Sequence, residues 1–376
     1  MRLLIALMAG VGLYFAQLYL YRYFWKEGLK VTVDFGRDIV REGEENELIE
    51  TVCNDKLLPL PVVQVKFSIT RTFEFKKMDN SSVTDQYYRN DFFSLRPYRK
   101  ITRIYGFRCK KRGLYPVNSL DVICKDLFLT GMMIRSFKPD SYVCVLPGRV
   151  DPEEIPQPVA QLTGDIIDGI RWNEDPFEFA GIREYQSYDP MNRINWKASA
   201  GSQKLLVNKF YTTITRRVII LLNAECHIKW HEETFIEEEI RLAASLADRF
   251  IENHIPVALY SNGCDSITEQ PVSIGAGADA PHLLNIEISL ARLNAACIKG
   301  DFAKMLREVS VDENYERTEC VIISNYRKQD LYDTYVDIKD KGVNVHWIIP
   351  EYSLMEPRLT GGGDEHIVKW TVRNES

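Results

Sequence analysis

The segment Asp175–Ala200, DPFEFAGIREYQSYDPMNRINWKASA, lies near the midpoint of the 376-residue chain and separates two different hydropathy patterns. Before it, short runs alternate apolar and polar residues, which is typical of antiparallel strands. After it, continuous apolar runs alternate with amphipathic helical patterns, which is typical of a sheet covered by helices. The segment is therefore predicted to be the junction of two domains of different class.

The second half of this segment predicts a single capped helix. Asp189 can accept hydrogen bonds from exposed amides, and Pro190 suits the first helical position. Gly201 stands where such a helix would end. Asp189, Arg193 and Lys197 follow one another at intervals of four, so they would share one helix face and support each other as ion pairs.

Charged and aromatic residues are dense in this segment, and two roles are open for them. The first is a structural clamp, which is favoured because ordinary ion-pair networks outnumber functional ones. The second is a recognition surface for a partner. The residues concerned are Arg183, Glu184, Tyr185, Asp189, Arg193, Trp196 and Lys197.

Two elements of the segment resemble the signature of a bacterial family known as domain of unknown function fifty-eight. The first is Gly181-Ile182-Arg183-Glu184-Tyr185, and the second is Asp189-Pro190 followed by Arg193-Ile194-Asn195-Trp196-Lys197-Ala198-Ser199-Ala200. The resemblance implies a membrane-anchored N-terminus before the signature and a von Willebrand factor A-like domain after it. It also implies a protein partner, a MoxR-type AAA+ ATPase.

The N-terminal run Leu3 to Tyr21 contains no charged residue and predicts a membrane span. At helical rise it reaches about 28 Å, close to the thickness of the bilayer hydrocarbon. No small-residue cleavage site follows, so an uncleaved span through residues 3–25 is favoured over a signal peptide. Basic residues after the span place the bulk of the chain in the cytoplasm, as a single-pass protein of the cell membrane.

Composition excludes some partners. The net charge of -6 gives no overall basic field, which argues against a nucleic-acid binder. The eight cysteines are scattered without a C-x-x-C pair, so they are predicted to be reduced and the compartment to be reducing.

The expected fold combines an all-β and an α/β domain behind the anchor. Residues 1–27 form the transmembrane anchor and 28–147 an immunoglobulin-like antiparallel β-sandwich. Residues 148–174, rich in proline and glycine, form an extended linker. Residues 175–212 hold the signature and the junction. Residues 213–376 form a von Willebrand factor A-like, doubly wound parallel sheet.

The metal site that the resemblance implies is expected to be degenerate. Such domains end their first strand in D-x-S-x-S, whereas this chain has Asn223, Glu225 and His227 at those positions. A later strand ends in Ser324-Asn325, where the fold often offers another aspartate. Because hard divalent cations need charged oxygen ligands, no metal and no cofactor are expected.

The sequence thus favours a non-enzymatic, membrane-anchored interaction or adaptor protein without catalytic residues. Two alternatives stay open. One is a metal-dependent hydrolase in which Glu225, His227 and His231 bind zinc, since two histidines four apart can face one metal on a helix. The other is an extracellular adhesion module, which requires the opposite membrane topology.

Overall fold

In a computed structural model of the chain, the described residues are 2–76, 81–83, 86–150, 155, 157–171, 179–186, 189–202, 204–210, 217–226, 232–310, 318–326, 328–352 and 367–372. The chain divides into two compact units, Met1–Gly148 and Arg149–Ser376. Each unit has its own hydrophobic core.

The first unit begins with helix α1, Arg2–Phe24. Among the described residues, the stretch Leu3–Phe24 is the one helix long and apolar enough to cross a membrane. Most of its apolar side chains are exposed, whereas Tyr21, near its C-terminal end, and Trp25, just after it, are buried in the core of the first unit. The helix is therefore joined to the following domain by packing as well as by the chain.

Strands make up the rest of the first unit. They are β1 Leu29–Phe35, β2 Ile39–Arg41, β3 Glu45–Asn54, β4 Leu60–Thr70, β5 Phe73–Phe75, β6 Ser81–Val83, β7 Gln86–Leu95, β8 Arg99–Cys109, β9 Gly113–Pro116, β10 Ser119–Lys125, β11 Met132–Phe137 and β12 Tyr142–Leu146. They form sheets in the orders β1-β3-β8-β5, β11-β10-β4-β7-β6 and β2-β12-β9. All the pairings are antiparallel except that of β2 with β12.

Alternation along the strands builds the core of this unit. In β1 the residues Leu29, Val31, Val33 and Phe35 are buried, and the residues between them are exposed. Successive side chains of a strand point to opposite faces, so this pattern directs one face of the sheet inward. The buried faces of the sheets share one core. The predicted antiparallel sandwich is confirmed.

The second unit alternates strands and helices. They are α2 Gln157–Arg171, β13 Phe179–Glu184, a 3-10 helix Met191–Arg193, α3 Trp196–Ser202, β14 Leu206–Phe210, β15 Arg217–Leu222, α4 Glu232–Glu252, β16 Val257–Asp265, β17 Pro271–Gly277, α5 Ala280–Arg292, β18 Leu293–Ile298, α6 Phe302–Ser310, β19 Thr318–Ile323, α7 Gln329–Asp340, β20 Asn344–Tyr352 and β21 Ile367–Val372.

Seven of these strands form one sheet in the order β17-β16-β15-β19-β20-β21, with β18 beside β16. Strands β16, β15, β19, β20 and β21 pair in parallel. Strands β17 and β18, which the sequence prediction did not include, are antiparallel to β16, so the sheet is mixed around a parallel centre. Alternate residues of β15 enter two cores, one shared with α2, α4 and α5 and the other with α6 and α7.

The expectation of an extended linker over 148–174 is wrong, because α2 lies within it. Val159, Ile166 and Ile167 fall on one helix face and are buried in a core of the second unit. Pro158 stands in the first turn, where a helix tolerates proline. Burial of this face outweighs the low helix propensity of Gly164 and Gly169.

The single helix predicted after Asp189 is also wrong. Ile194 is extended and buried, and it forms a β-bridge with Val207 of β14. That bridge separates the 3-10 helix from α3 and removes the shared face expected of Asp189, Arg193 and Lys197. Gly201, expected to end the helix, lies inside α3.

Candidate functional site

Arg183 and Asp189 form the centre of the signature segment. The Arg183 guanidinium donates to both carboxylate oxygens of Asp189, from Nη1 to Oδ2 and from Nη2 to Oδ1, each at 2.6 Å. The Asp189 side chain is buried, and its Oδ2 also accepts from the Gln186 backbone N–H at 2.9 Å. These bonds to the charged form, led by Arg183, hold the pKa of Asp189 below its usual value. The pair ties β13 to Asp189, two residues before the 3-10 helix.

Other signature residues are arranged around this pair. Glu184 forms an exposed ion pair with Lys204, across the antiparallel pairing of β13 with β14. The backbone N–H of Tyr185 donates to the Leu205 carbonyl at 2.9 Å. Arg193 is half-buried, and its charge also favours the ionised form of Asp189. Asp189 therefore pairs with Arg183 instead of lying on one helix face with Arg193 and Lys197.

Two signature residues that were not assigned a role brace α3. Asn195 Oδ1 accepts from the Ala198 N–H at 3.0 Å, so asparagine caps this helix. Its Nδ2 donates to Asn208 Oδ1 at 2.7 Å. Ser199 Oγ accepts from the Leu206 N–H at 2.8 Å. Both side chains thus fasten α3 to β14, and Ser199 is engaged as a structural residue.

The outer surface of the segment carries apolar side chains. Trp196 is 63% exposed, and Met191 is exposed as well. Lys197, next to Trp196, is also exposed. Tryptophan is strongly enriched among the residues that dominate protein interfaces. The segment therefore combines an internally bonded framework with an apolar and cationic outer surface.

A second candidate site lies where the order of the large sheet reverses. The chain passes from β15 to β16 on one side and later reaches β19 on the other. Open α/β sheets bind ligands at the carboxyl ends of the strands at such a point. Here Asn223 follows β15, and Ser324 and Asn325 follow β19. All three side chains are buried.

Hydrogen bonds between neutral groups fill this position. Asn223 Nδ2 donates to Ser324 Oγ at 3.0 Å. Asn223 Oδ1 accepts from Asn262 Nδ2 and from the Glu225 N–H, each at 3.0 Å. Since an amide oxygen has two lone pairs, no further acceptor capacity remains for a cation. Asn262 was missed in the sequence because only the pairing of β15 with β16 brings it here.

Glu225 is the acidic residue of this site. Burial and the nearby charges of Asp301 and Asp330 raise its pKa, and Lys328 opposes them. His227 and His231, its partners in the zinc alternative, lie outside the described residues. Within the described ranges, no three side chains of histidine, cysteine, aspartate or glutamate are grouped to hold a metal ion.

Glu239 on α4 is a further acidic residue that the sequence did not reveal. It is fully buried, and this burial raises its pKa well above the usual value. The backbone and side-chain amides of Asn325 lower that pKa in part, although neither carboxylate oxygen completes a hydrogen bond of normal geometry within the described residues. Glu239 therefore places a buried acid beside Asn325.

We predict that Mg²⁺ leaves the melting temperature of the full-length protein unchanged, because Asn223 Oδ1 already accepts two hydrogen bonds. A site with Mg²⁺ at tenfold above its Kd would stabilise the fold by about 1.4 kcal/mol, or roughly 2–4 °C. Calorimetry with NaCl at matched ionic strength checks this. A rise in melting temperature that is lost in Asn223→Ala would contradict the prediction.

Comparisons with known proteins identify no family for this chain. No family model and no curated protein match the chain. A CARDB domain from Pyrococcus furiosus aligns with 32% of this chain and 90% of its own, at 18% identity and a TM-score of 0.21. A cohesin from Archaeoglobus fulgidus aligns with 31% of this chain and 91% of its own, at 12% identity and a TM-score of 0.22. The sporulation control protein Spo0M of Bacillus subtilis aligns with 42% of this chain and 58% of its own, at 12% identity and a TM-score of 0.19.

Proposed function

We propose that this chain is a non-enzymatic adaptor, anchored in the membrane by α1, which binds a MoxR-type AAA+ ATPase through the signature segment. The proposal takes the ATPase, and a von Willebrand factor A-like identity for the second unit, from the resemblance to domain of unknown function fifty-eight. The observation that carries it is the exposed Trp196 on a segment that is fastened from within.

The inner bonds of the segment support this role. The Arg183–Asp189 pair ties β13 to Asp189, and the side chains of Asn195 and Ser199 hold α3 in place before any partner binds. A surface that is already ordered loses less conformational entropy on binding. On this proposal the internal bonds hold the segment in place, and its exposed side chains bind the partner.

The side chains that follow β15 and β19 support a binding role rather than a catalytic one. Asn223 is hydrogen-bonded to both Asn262 and Ser324, so these three side chains are engaged with the protein itself. The segment's exposed cation, Lys197, suits an acidic patch on the partner. The basic residues after α1 predict a cytoplasmic orientation, which would make the signature segment accessible to a cytoplasmic ATPase.

Trp196→Ala tests this proposal directly. We expect binding of the co-purifying AAA+ ATPase to weaken roughly 30-fold, the loss of about 2 kcal/mol that is typical of an interface hot spot. The full-length protein is captured from native membranes, the ATPase is identified by mass spectrometry, and its affinity for each variant is then measured. The melting temperature should stay at its original value, because the side chain is exposed.

Ile267→Ala is the matched control, since Ile267 is 60% exposed and lies in the turn after β16. It should bind the ATPase like the unchanged chain. Absence of any AAA+ ATPase from the capture, or equal binding by Trp196→Ala and the unchanged chain, would overturn the proposal.

A further inference from the structure

The turn between β10 and β11, residues 126–131, is closed by its own hydrogen bonds. Asp126 Oδ1 accepts from the backbone N–H groups of Thr130 and Gly131, at 2.7 and 3.0 Å. The backbone N–H of Leu129 donates to the Asp126 carbonyl at 3.1 Å, and that of Asp126 to the Gly131 carbonyl at 3.3 Å. The turn therefore satisfies much of its own backbone without water.

The tip of this turn is apolar and exposed. Leu127, Phe128 and Leu129 each have more than half of their surface exposed, and so does Met132 at the start of β11. Leu129 has a φ of 62°, a left-handed conformation that is unusual for a leucine and costs about 1–2 kcal/mol. Leu129 is therefore exposed to solvent in a backbone conformation of higher energy.

Helix α1 lies against this turn. Gln17 Nε2 donates to Asp126 Oδ2 at 2.8 Å, and the Tyr14 hydroxyl donates to Thr130 Oγ1 at 3.2 Å. The rings of Tyr14 and Phe128 are 6.1 Å apart. Gln17, the one strongly polar residue of the run Leu3 to Tyr21, thus donates to the carboxylate that organises the turn.

The contacts set the depth of the turn if α1 spans a bilayer. Tyr14 precedes Arg22, the first charged residue after the apolar run, by eight positions. At helical rise this is about 12 Å along the axis. The turn lies at the level of Tyr14, so its tip would be on the order of 10 Å below the level of Arg22, the depth that interfacial apolar surfaces reach.

We propose that the apolar tip of this turn inserts into the lipid bilayer beside α1 and gives the sandwich a second membrane attachment. Lipid suits the tip because residues 127–129 carry no polar side chain, and because backbone in hydrocarbon must be bonded internally. Lys125 and Arg135 flank the turn and can reach lipid phosphates. The attachment orients the first unit relative to the membrane surface.

This inference rests on the proposed membrane span, and the experiment separates the two. For the experiment, Cys53, Cys226 and Cys297 of the full-length chain are replaced with serine, because these are the cysteines that are not buried. A nitroxide is placed at Phe128→Cys. The protein is reconstituted into vesicles of phosphatidylcholine and phosphatidylglycerol, and collisions of the nitroxide with oxygen and with a polar nickel chelate are measured.

Two further positions serve as references. Leu7→Cys reports on α1 itself, and Ile104→Cys reports on an exposed apolar site of the sheet β1-β3-β8-β5. Ile104 is 58% exposed, close to the 56% of Phe128. We expect the nickel chelate to collide with position 128 roughly tenfold less often than with position 104, which corresponds to about 1.4 kcal/mol of exclusion.

Each other outcome overturns a defined part. If the label at position 7 lies in lipid and the label at position 128 lies in water, the insertion of the turn is contradicted and the membrane span is supported. If both labels lie in water, the membrane span is contradicted as well. Exclusion at position 128 that disappears when the protein is diluted in lipid identifies a second copy as the occupant, and contradicts insertion.

A measurement on the unchanged chain guards against misfolding of the labelled variants. Hydrogen exchange of the peptide that covers residues 125–132 is measured in two samples. In one the protein is in lipid nanodiscs, and in the other it is free of lipid and detergent, with α1 kept soluble by an amphipathic polymer. We expect slower exchange in nanodiscs. Equal exchange in both would overturn the proposal.

Discussion

Glu50→Gln is expected to stabilise the sandwich strongly at pH 8 and hardly at all at pH 4. Glu50 of β3 is fully buried, and burial, followed by the charge of Asp91, raises its pKa to about 8 from the ordinary 4.5. Tyr105, which donates to Glu50 Oε2 at 3.2 Å, and the nearby arginines offset only part of this rise.

The sign follows from proton binding. Between pH 4.5 and 8 the unfolded chain has lost the Glu50 proton while the folded chain keeps it, so the free energy of unfolding falls as the pH rises through this window. One pKa unit corresponds to about 1.36 kcal/mol, so the loss reaches about 5 kcal/mol at most. Glutamine has a similar shape and does not titrate, and it removes this dependence.

Denaturant unfolding at pH 4.5 and pH 8.5 measures the effect, with hydrogen exchange of the β3 and β8 peptides to assign the transition to the sandwich. Glu47→Gln on the same strand is the control, because Glu47 is exposed. It should leave the pH dependence as it is. An equally steep loss of stability with rising pH in Glu50→Gln would refute the assignment of this dependence to Glu50.

The second large effect is expected for Asp91→Ala, with a loss of about 3–5 kcal/mol in the free energy of unfolding. Asp91 accepts from Arg89 Nε at 2.7 Å and from Arg103 Nη1 at 3.1 Å. The Arg89 side chain is buried, and its guanidinium lies 3.4 Å from the ring centre of Tyr105. Removing Asp91 therefore leaves a buried charge without its counter-charge.

Urea unfolding at pH 7 measures this loss. Asp34→Ala is the control, since Asp34 is exposed on β1 and its removal should change the stability by less than about 0.5 kcal/mol. Replacing the pair together, as Arg89→Met with Asp91→Leu, should recover most of the stability, because apolar residues of similar volume often replace buried ion pairs at no cost. A small loss in Asp91→Ala would contradict the prediction.

These two predictions concern the interior of the sandwich, where the polar cluster of Glu50, Arg89 and Asp91 joins strands from two sheets. They are independent of the adaptor proposal, which concerns exposed residues of the second unit. A variant that loses stability through the cluster should still bind its partner while it remains folded. Stability and binding can therefore be tested separately.

Much of the architecture could be predicted from the sequence because it depends on local periodicity. The uncharged run Leu3 to Tyr21, alternation such as that of β1, and apolar runs such as Val218–Leu222 each imply one kind of element. These patterns reflect which side chains must leave water, so they are readable without knowing the neighbours.

Pairing between distant residues could not be read this way. Ile194 leaves the helical conformation because β14 offers it a buried position, and α2 forms because a core accepts Ile166 and Ile167. Asn262 reaches Asn223 through strand order, and Asp126 reaches Gln17 across more than one hundred residues. Burial and counter-charges are properties of the folded chain, so the raised pKa of Glu50 and the apolar turn beside α1 became visible only in three dimensions.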